Sequence, residues 1–251
     1  MYAEATFDMR FSVRFAPLML VLWLAVACGT PPTPPPDPLT LLDSAAQIIH
    51  EVDTFQMEVN RTGAAYFIPT ILGDVSFERA TMQYRAPESL QGIVRAKLRG
   101  VVLEFGVLAI GDQQWVRLPG IAWDDSLAFA PGFNPQDMIA TDSGFEAALK
   151  ALLDIEMQGI ERLEDGTAVY HLSGHADGQQ VMDILAGLIY AEGQVLVDVY
   201  IDTQTNQPLR LIITQPETQT ETEPEPTRWN VDLFDFNQPV TIDDPFATPA
   251  E

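Results

Sequence analysis

The side chains able to do chemistry in this 251-residue chain are three histidines, one cysteine and 36 carboxylates. His171 and His175 have the spacing of metal ligands on a helix, where residues four apart share a face. Around them, however, Ala168, Tyr170 and Leu172 recur with a period of two. That is the rhythm of a strand, on which the two rings stand about 13 Å apart, too far to share one ion. His50 lies far off in sequence. No Gly-x-Ser-x-Gly elbow offers a serine nucleophile, and no glycine-rich loop is built for phosphate. Acidic pairs such as Asp124-Asp125 and Asp243-Asp244 read as solvated turns in a chain this acidic. Asn60-Arg61-Thr62 fits a glycosylation sequon, a pattern short enough to arise by chance. The sequence offers no catalytic constellation, no metal site and no cofactor motif.

Cys28 is the exception, and its chemistry is that of an anchor. Arg10 and Arg14 precede an apolar run from Ala16 to Ala27, which ends in Leu24-Ala25-Val26-Ala27 just before the cysteine. A charged start, an apolar centre and small residues at the end make a secretory signal peptide over residues 1–27. The run is too short to span a hydrocarbon layer of about 30 Å at about 1.5 Å per residue. Small residues before a lone cysteine resemble a bacterial lipobox, with Ala25 where leucine is commonest. Cys28 would then carry a diacylglycerol and become the first mature residue. The alternative is an ordinary signal peptide with an incidental cysteine. The segment after the cysteine favours the lipid. Residues 28–38 run into Thr30-Pro-Pro-Thr-Pro-Pro-Pro-Asp-Pro38, a stiff extended tether that holds a domain roughly 25 Å from a membrane.

A little over 200 residues remain, enough for one sizeable domain over 39–245, with a short tail at 246–251. The apolar share of 47% supplies a core, and without a second cysteine that core must hold the domain unaided. The formal net charge of −23 repels nucleic acid and bare anionic lipid surfaces.

Periodicity sets the elements that would position any site. A helix is expected from Thr40, as its cap, to about Val52, and a second over Phe145–Ile155. A third should start at Asp177 and run to about Tyr190. Alternation marks strands from Thr54, over Val75–Arg85, Leu90–Leu98, Val101–Ile110 and Gln113–Leu118, then Glu156–Leu163 and Thr167–His175. Further strands are expected from Val195 and Leu209, and a closing one over Trp229–Phe236. Within Val75–Arg85 the apolar set changes parity, from Val75 and Phe77 to Ala80, Met82 and Tyr84, which predicts a bulge. Residues 215–226 (QPETQTETEPEP) form a solvated acidic loop. This order makes the domain α+β: one large antiparallel sheet with helices against one face.

The stretch Val195–Ile213 (VLVDVYIDTQTNQPLRLII) is followed by a tryptophan strand and Leu233-Phe-Asp-Phe-Asn-Gln-Pro-Val-Thr-Ile242. Together they resemble the C-terminal half of the mycobacterial LppX/LprA/LprF/LprG lipoproteins, which pair a valine-rich hairpin with a final D-[YF]-x-x-P-V-x-I segment. The resemblance covers Leu39–Pro245 and is strongest after about Phe129. It implies a curved half-barrel with about three helices on its concave face, similar to the Lol carriers, enclosing an apolar cavity. It also implies a cell-membrane lipoprotein on the extracytoplasmic side that binds an acylated lipid or glycolipid and carries it across the envelope. The alternating apolar residues Phe55, Met57, Leu103, Phe105, Val197 and Val199, with Ile184 and Leu188 from the third helix, are the expected wall. A lipid-free envelope scaffold or transporter-accessory module is the second reading, and a lipid hydrolase a distant third.

Overall fold

The computed structural model describes residues 36–68, 73–181, 184, 191 and 193–245. The signal segment, Cys28, most of the tether, Leu188 and the 246–251 tail therefore lie outside the described residues.

Helix α1 spans Pro38–His50. Asp37 begins it, accepting hydrogen bonds from the Thr40 backbone N–H (3.0 Å) and hydroxyl (3.1 Å), so the cap lies one turn before the expected Thr40. Proline at the first helical position costs nothing, because that N–H would be unpaired in any case. Leu41, Leu42, Ala45, Ala46 and Ile49 form its buried stripe. The second helix, α2, is shorter than expected, Gly144–Lys150. Leu153-Asp154-Ile155 then alternates as a strand, entered through Asp154 in a left-handed conformation (φ 49°).

The described residues form eleven strands: β1 (Thr54–Thr62), β2 (Phe67–Ile68), β3 (Val75–Arg85), β4 (Ser89–Leu98), β5 (Val101–Ile110), β6 (Gln113–Arg117), β7 (Leu153–Arg162), β8 (Ala168–Asp177), β9 (Gln194–Asp202), β10 (Pro208–Gln215) and β11 (Thr227–Phe234). All join one antiparallel sheet in the order β6-β5-β4-β3-β1-β11-β10-β9-β8-β7, with β2 added beside β3. The first and last strands of that order do not pair, so the sheet is open. The parity change in β3 is a register shift between Phe77 and Arg79, as its sequence predicts.

The expected third helix needs correction. Asp177 ends β8, paired with Gln194, and its carboxylate accepts the Gln179 N–H (2.9 Å). Residues Gly178–Val181 form a single 3-10 turn, and most of residues 182–190 lie outside the described residues. The described residues thus hold two α-helices rather than about three. An aspartate before an apolar stripe caps either kind of turn, so the cap signal alone does not set the helix type.

One hydrophobic cluster joins the buried stripes of α1 and α2 to one face of the sheet, its inner face. On the outer face a second, small cluster of Leu108, Trp115 and Ile242 covers the β5–β6 hairpin. The segment that leads to Ile242 is fastened at Asn237, whose N–H donates to the Thr54 carbonyl (2.7 Å) and whose Oδ1 accepts from the Asp53 N–H (2.9 Å). No helix among the described residues is long and apolar enough to cross a membrane.

Candidate functional site

The inner face is built from cross-strand rows, because alternate residues of neighbouring strands stack side by side. One row runs without a polar break from one limb of the sheet to the other. From Val59 on β1 it passes through Ala80 and Val94 to Phe105 on β5. In the other direction it passes through Val231, Leu211 and Val199 to Leu172 and Met157 on β7. A second row holds Trp229, Ile213 and Val197, and ends at Gly174. A third joins Met57, Met82 and Gly92. A Cβ at Gly92 would lie 2.6 Å from Met82 Cγ and from the Thr81 carbonyl oxygen, so only glycine lets Met82 lie flat there.

The structure separates the expected wall residues into two groups. Phe55, Met57, Ile184, Val197 and Val199 are all buried in the main cluster. Phe55 stacks on Tyr84 (4.9 Å between ring centres) and meets Phe145 of α2 edge-on (5.9 Å). Leu103 and Phe105 lie on the same face but are half-buried. The covered part of the inner face is thus the β1–β11–β9 region, while the first half of β5 is left partly open.

Polar groups sit at the margin of the inner face, and the apolar pattern gave little sign of them. Gln114 is buried and pins the Ala130–Phe133 loop, its Nε2 donating to the Ala130 (2.7 Å) and Phe133 (3.0 Å) carbonyls. Its Oε1 accepts from the Ala130 N–H (3.1 Å). Arg61 pairs across from Trp229, and its guanidinium donates to the carbonyls of Phe77 (2.7 Å), Gly63 (2.9 Å) and Ala64 (2.7 Å). Burial lowers its pKa, partly offset by Glu78 and Glu223. Trp229 Nε1 donates to Gln215 Oε1 (2.8 Å), tying β11 to the start of the acidic loop.

Across β7–β9 the outer face carries a polar ladder. His171 is stacked on Tyr200 (4.4 Å) and bonded to Glu161 (2.7 Å) and Asp198 (2.9 Å). Burial works against its charge, but hydrogen bonds to the two carboxylates win and raise its pKa. His171 and His175 share β8, and no group of three His, Cys, Asp or Glu among the described residues could hold a metal ion. Farther along this face, a hollow of about 470 Å³ opens between β4–β5 and the 118–121 loop, lined by Ile93, Val102, Glu104, Gly106, Arg117 and Ile121.

Comparison with known proteins decides the family. The model of the LppX_LprAFG lipoproteins matches residues 37–242, nearly the whole described domain. The chain belongs to the LppX_LprAFG lipoprotein family. Its fold is similar to that of LprF from Mycobacterium bovis, at 17% identity and a TM-score of 0.59, over 85% of this chain and 99% of that one. It is also similar to lipoprotein LppX from Mycobacterium tuberculosis, at 16% identity and a TM-score of 0.56, over 82% of this chain and 98% of that one. These likenesses show that the open sheet and its helices share the fold of LprF and LppX. A search of the curated proteins gave no match.

Proposed function

We propose that this family member is an extracytoplasmic lipoprotein, tethered to the cell membrane through Cys28. It holds the acyl chains of a lipid or glycolipid against its inner face and carries them across the envelope. The observation that carries this reading is the unbroken apolar row from Phe105 to Met157, together with the half-buried state of Leu103 and Phe105 at one limb. An acyl chain leaving a bilayer loses about 0.8 kcal/mol per methylene to water, so a two-chain lipid crosses an aqueous gap only in a container. An apolar trough on a short tether lowers that barrier without any bond-making chemistry.

A second reading, an envelope scaffold or transporter accessory that holds no lipid, draws on one observation. Phe55, Met57, Val197 and Val199 are packed into the core as tightly as any structural residue. Replacing Cys28 tests the anchor and the container separately. The parent chain should take up a palmitate label and stay with membranes. Cys28→Ser should lose both and keep its bound lipid. Loss of bound lipid in a folded Cys28→Ser chain would make the anchor part of the site and overturn this arrangement.

A further inference from the structure

Strand β7 ends the sheet, and among the described residues it pairs with β8 alone. Its ladder shifts register between Leu153 and Glu156 and again between Met157 and Gly159. Each shift leaves backbone groups outside the ladder. Ile155 and Met157 pack half-buried on the main cluster, while Leu153 and Ile160 stay exposed. An edge held this lightly opens before the strands inside it.

On the outer face the fastening is His171 of β8. Its cross-strand partner on β7 is Gly159, which has no side chain, and Glu161 bonds one ring nitrogen in its place. Asp198 of β9 bonds the other ring nitrogen, and Tyr200 lies flat against the ring. A neutral imidazole has one N–H, so it serves one of these carboxylates and turns a lone pair on the other. Only the imidazolium donates to both. The charged ring therefore links β7, β8 and β9, and loss of its proton breaks one leg. Glu161 is the leg that yields, because its side chain is half exposed on the edge strand, whereas Asp198 sits on β9 between two partners.

The other polar groups of this face do not replace that leg. Arg210, beyond Tyr200, is held by Asp232 and Glu164, and Arg162 donates to the Gly166 carbonyl. Glu156 lies opposite Ser173, and Asp202 caps the β9–β10 turn. His175 faces Asp154 at the other end of β7 (3.3 Å). Burial, helped by Asp198 and Glu161, holds the Tyr200 hydroxyl above its ordinary range, so it stays neutral.

We propose that His171 is a proton-operated staple for edge strand β7. Protonated, it clips β7 to β8 and β9; deprotonated, it lets β7 loosen and opens the Met157 end of the inner apolar row. Burial opposes the charge on His171 and the two carboxylates outweigh it, so the folded pKa is raised. The staple is then complete below the unfolded histidine value of about 6.5, and is lost as pH rises through the higher folded value. The device belongs to the sheet edge and does not depend on what the inner face carries.

Backbone hydrogen exchange reads the edge directly. The full chain with Cys28→Ser is followed at about pH 6 and about pH 9, each rate taken relative to an unstructured amide at the same pH. Protection of the Gly159–Arg162 amides should fall about ten-fold at the higher pH, roughly the worth of one half-exposed, charge-assisted hydrogen bond. Protection of β10, inside the sheet, should not follow it. His171→Gln should give β7 the same protection at both pH values, and so should Glu161→Gln, whose amide can donate as well as accept. His175→Gln should respond as the parent does. An absent response, or an equal fall in β7 and β10, would overturn the proposal. So would a response that survives in His171→Gln or Glu161→Gln, or one that vanishes in His175→Gln.

Discussion

Phe105→Asp separates a wall residue from a core residue. Phe105 is half-buried, so its ring draws only part of the 1.5–3 kcal/mol that full burial gives, about 1 kcal/mol. A domain stability of about 5–15 kcal/mol absorbs that loss, and an aspartate at the open limb can stay hydrated. Phe55→Ala is the contrast: its ring is fully buried between Tyr84 and Phe145, and its removal should cost about 3–5 kcal/mol. For bound lipid the order reverses. The carboxylate introduced by Phe105→Asp keeps water over the neighbouring acyl segment, and about four methylenes left wet forfeit about 3 kcal/mol, more than about 100-fold in affinity. Urea unfolding gives the stability of each variant, and native mass spectrometry of detergent-free protein gives its lipid occupancy. The expected pattern is a Phe105→Asp chain that melts near the parent and is empty, beside a Phe55→Ala chain that is clearly destabilised. A folded Phe105→Asp chain with undiminished lipid would refute the assignment. A larger stability loss at Phe105 than at Phe55 would place it in the core instead.

Two further outcomes rest on the polar groups. Gln114→Leu removes three hydrogen bonds that hold the Ala130–Phe133 loop, leaving buried backbone groups unpaired, and should cost about 2–4 kcal/mol by urea unfolding. A loss under about 1 kcal/mol would show that the loop does not depend on it. The folded pKa of His171 is raised, so the pairing with Asp198 and Glu161 stabilises the fold fully below the unfolded histidine value of about 6.5. That contribution is lost as pH rises through the higher folded value. The melting temperature of the parent, relative to His171→Gln, should therefore be higher at about pH 6 than at about pH 8. An equal difference at both pH values would contradict the charge assignment.

Strand periodicity carried most of the fold. The apolar alternates of β1, β5 and β9 set their inner faces directly, and even the β3 bulge showed in the move from Phe77 to Ala80. Elements failed where two periods fit the same residues. Leu149, Leu152 and Leu153 continue the α2 stripe, yet Leu153 and Ile155 also alternate, and the chain enters the sheet at Leu153, which pairs with His175 of β8. Asp177 gave a sound cap signal but spends its backbone on Gln194 of β9. Strand β2 is two residues long and too short to show any period. For the site, parity identified the inner-face alternates but not their degree of cover. Phe55 and Phe105 have the same pattern, and only the helices and the loop pinned by Gln114 decide which is sealed. Arg61 and Gln114 were illegible because their roles depend on carbonyls brought close by tertiary contact.

The most direct measurement of the central claim is native mass spectrometry of the compact unit Pro36–Glu251, expressed in bacteria and purified without detergent. A lipid carrier should show a mass increment equal to a diacyl lipid, released on mild denaturation and restored by added lipid. A clean lipid-free mass that takes up no added diacyl lipid would contradict it and leave a half-barrel that serves as a scaffold.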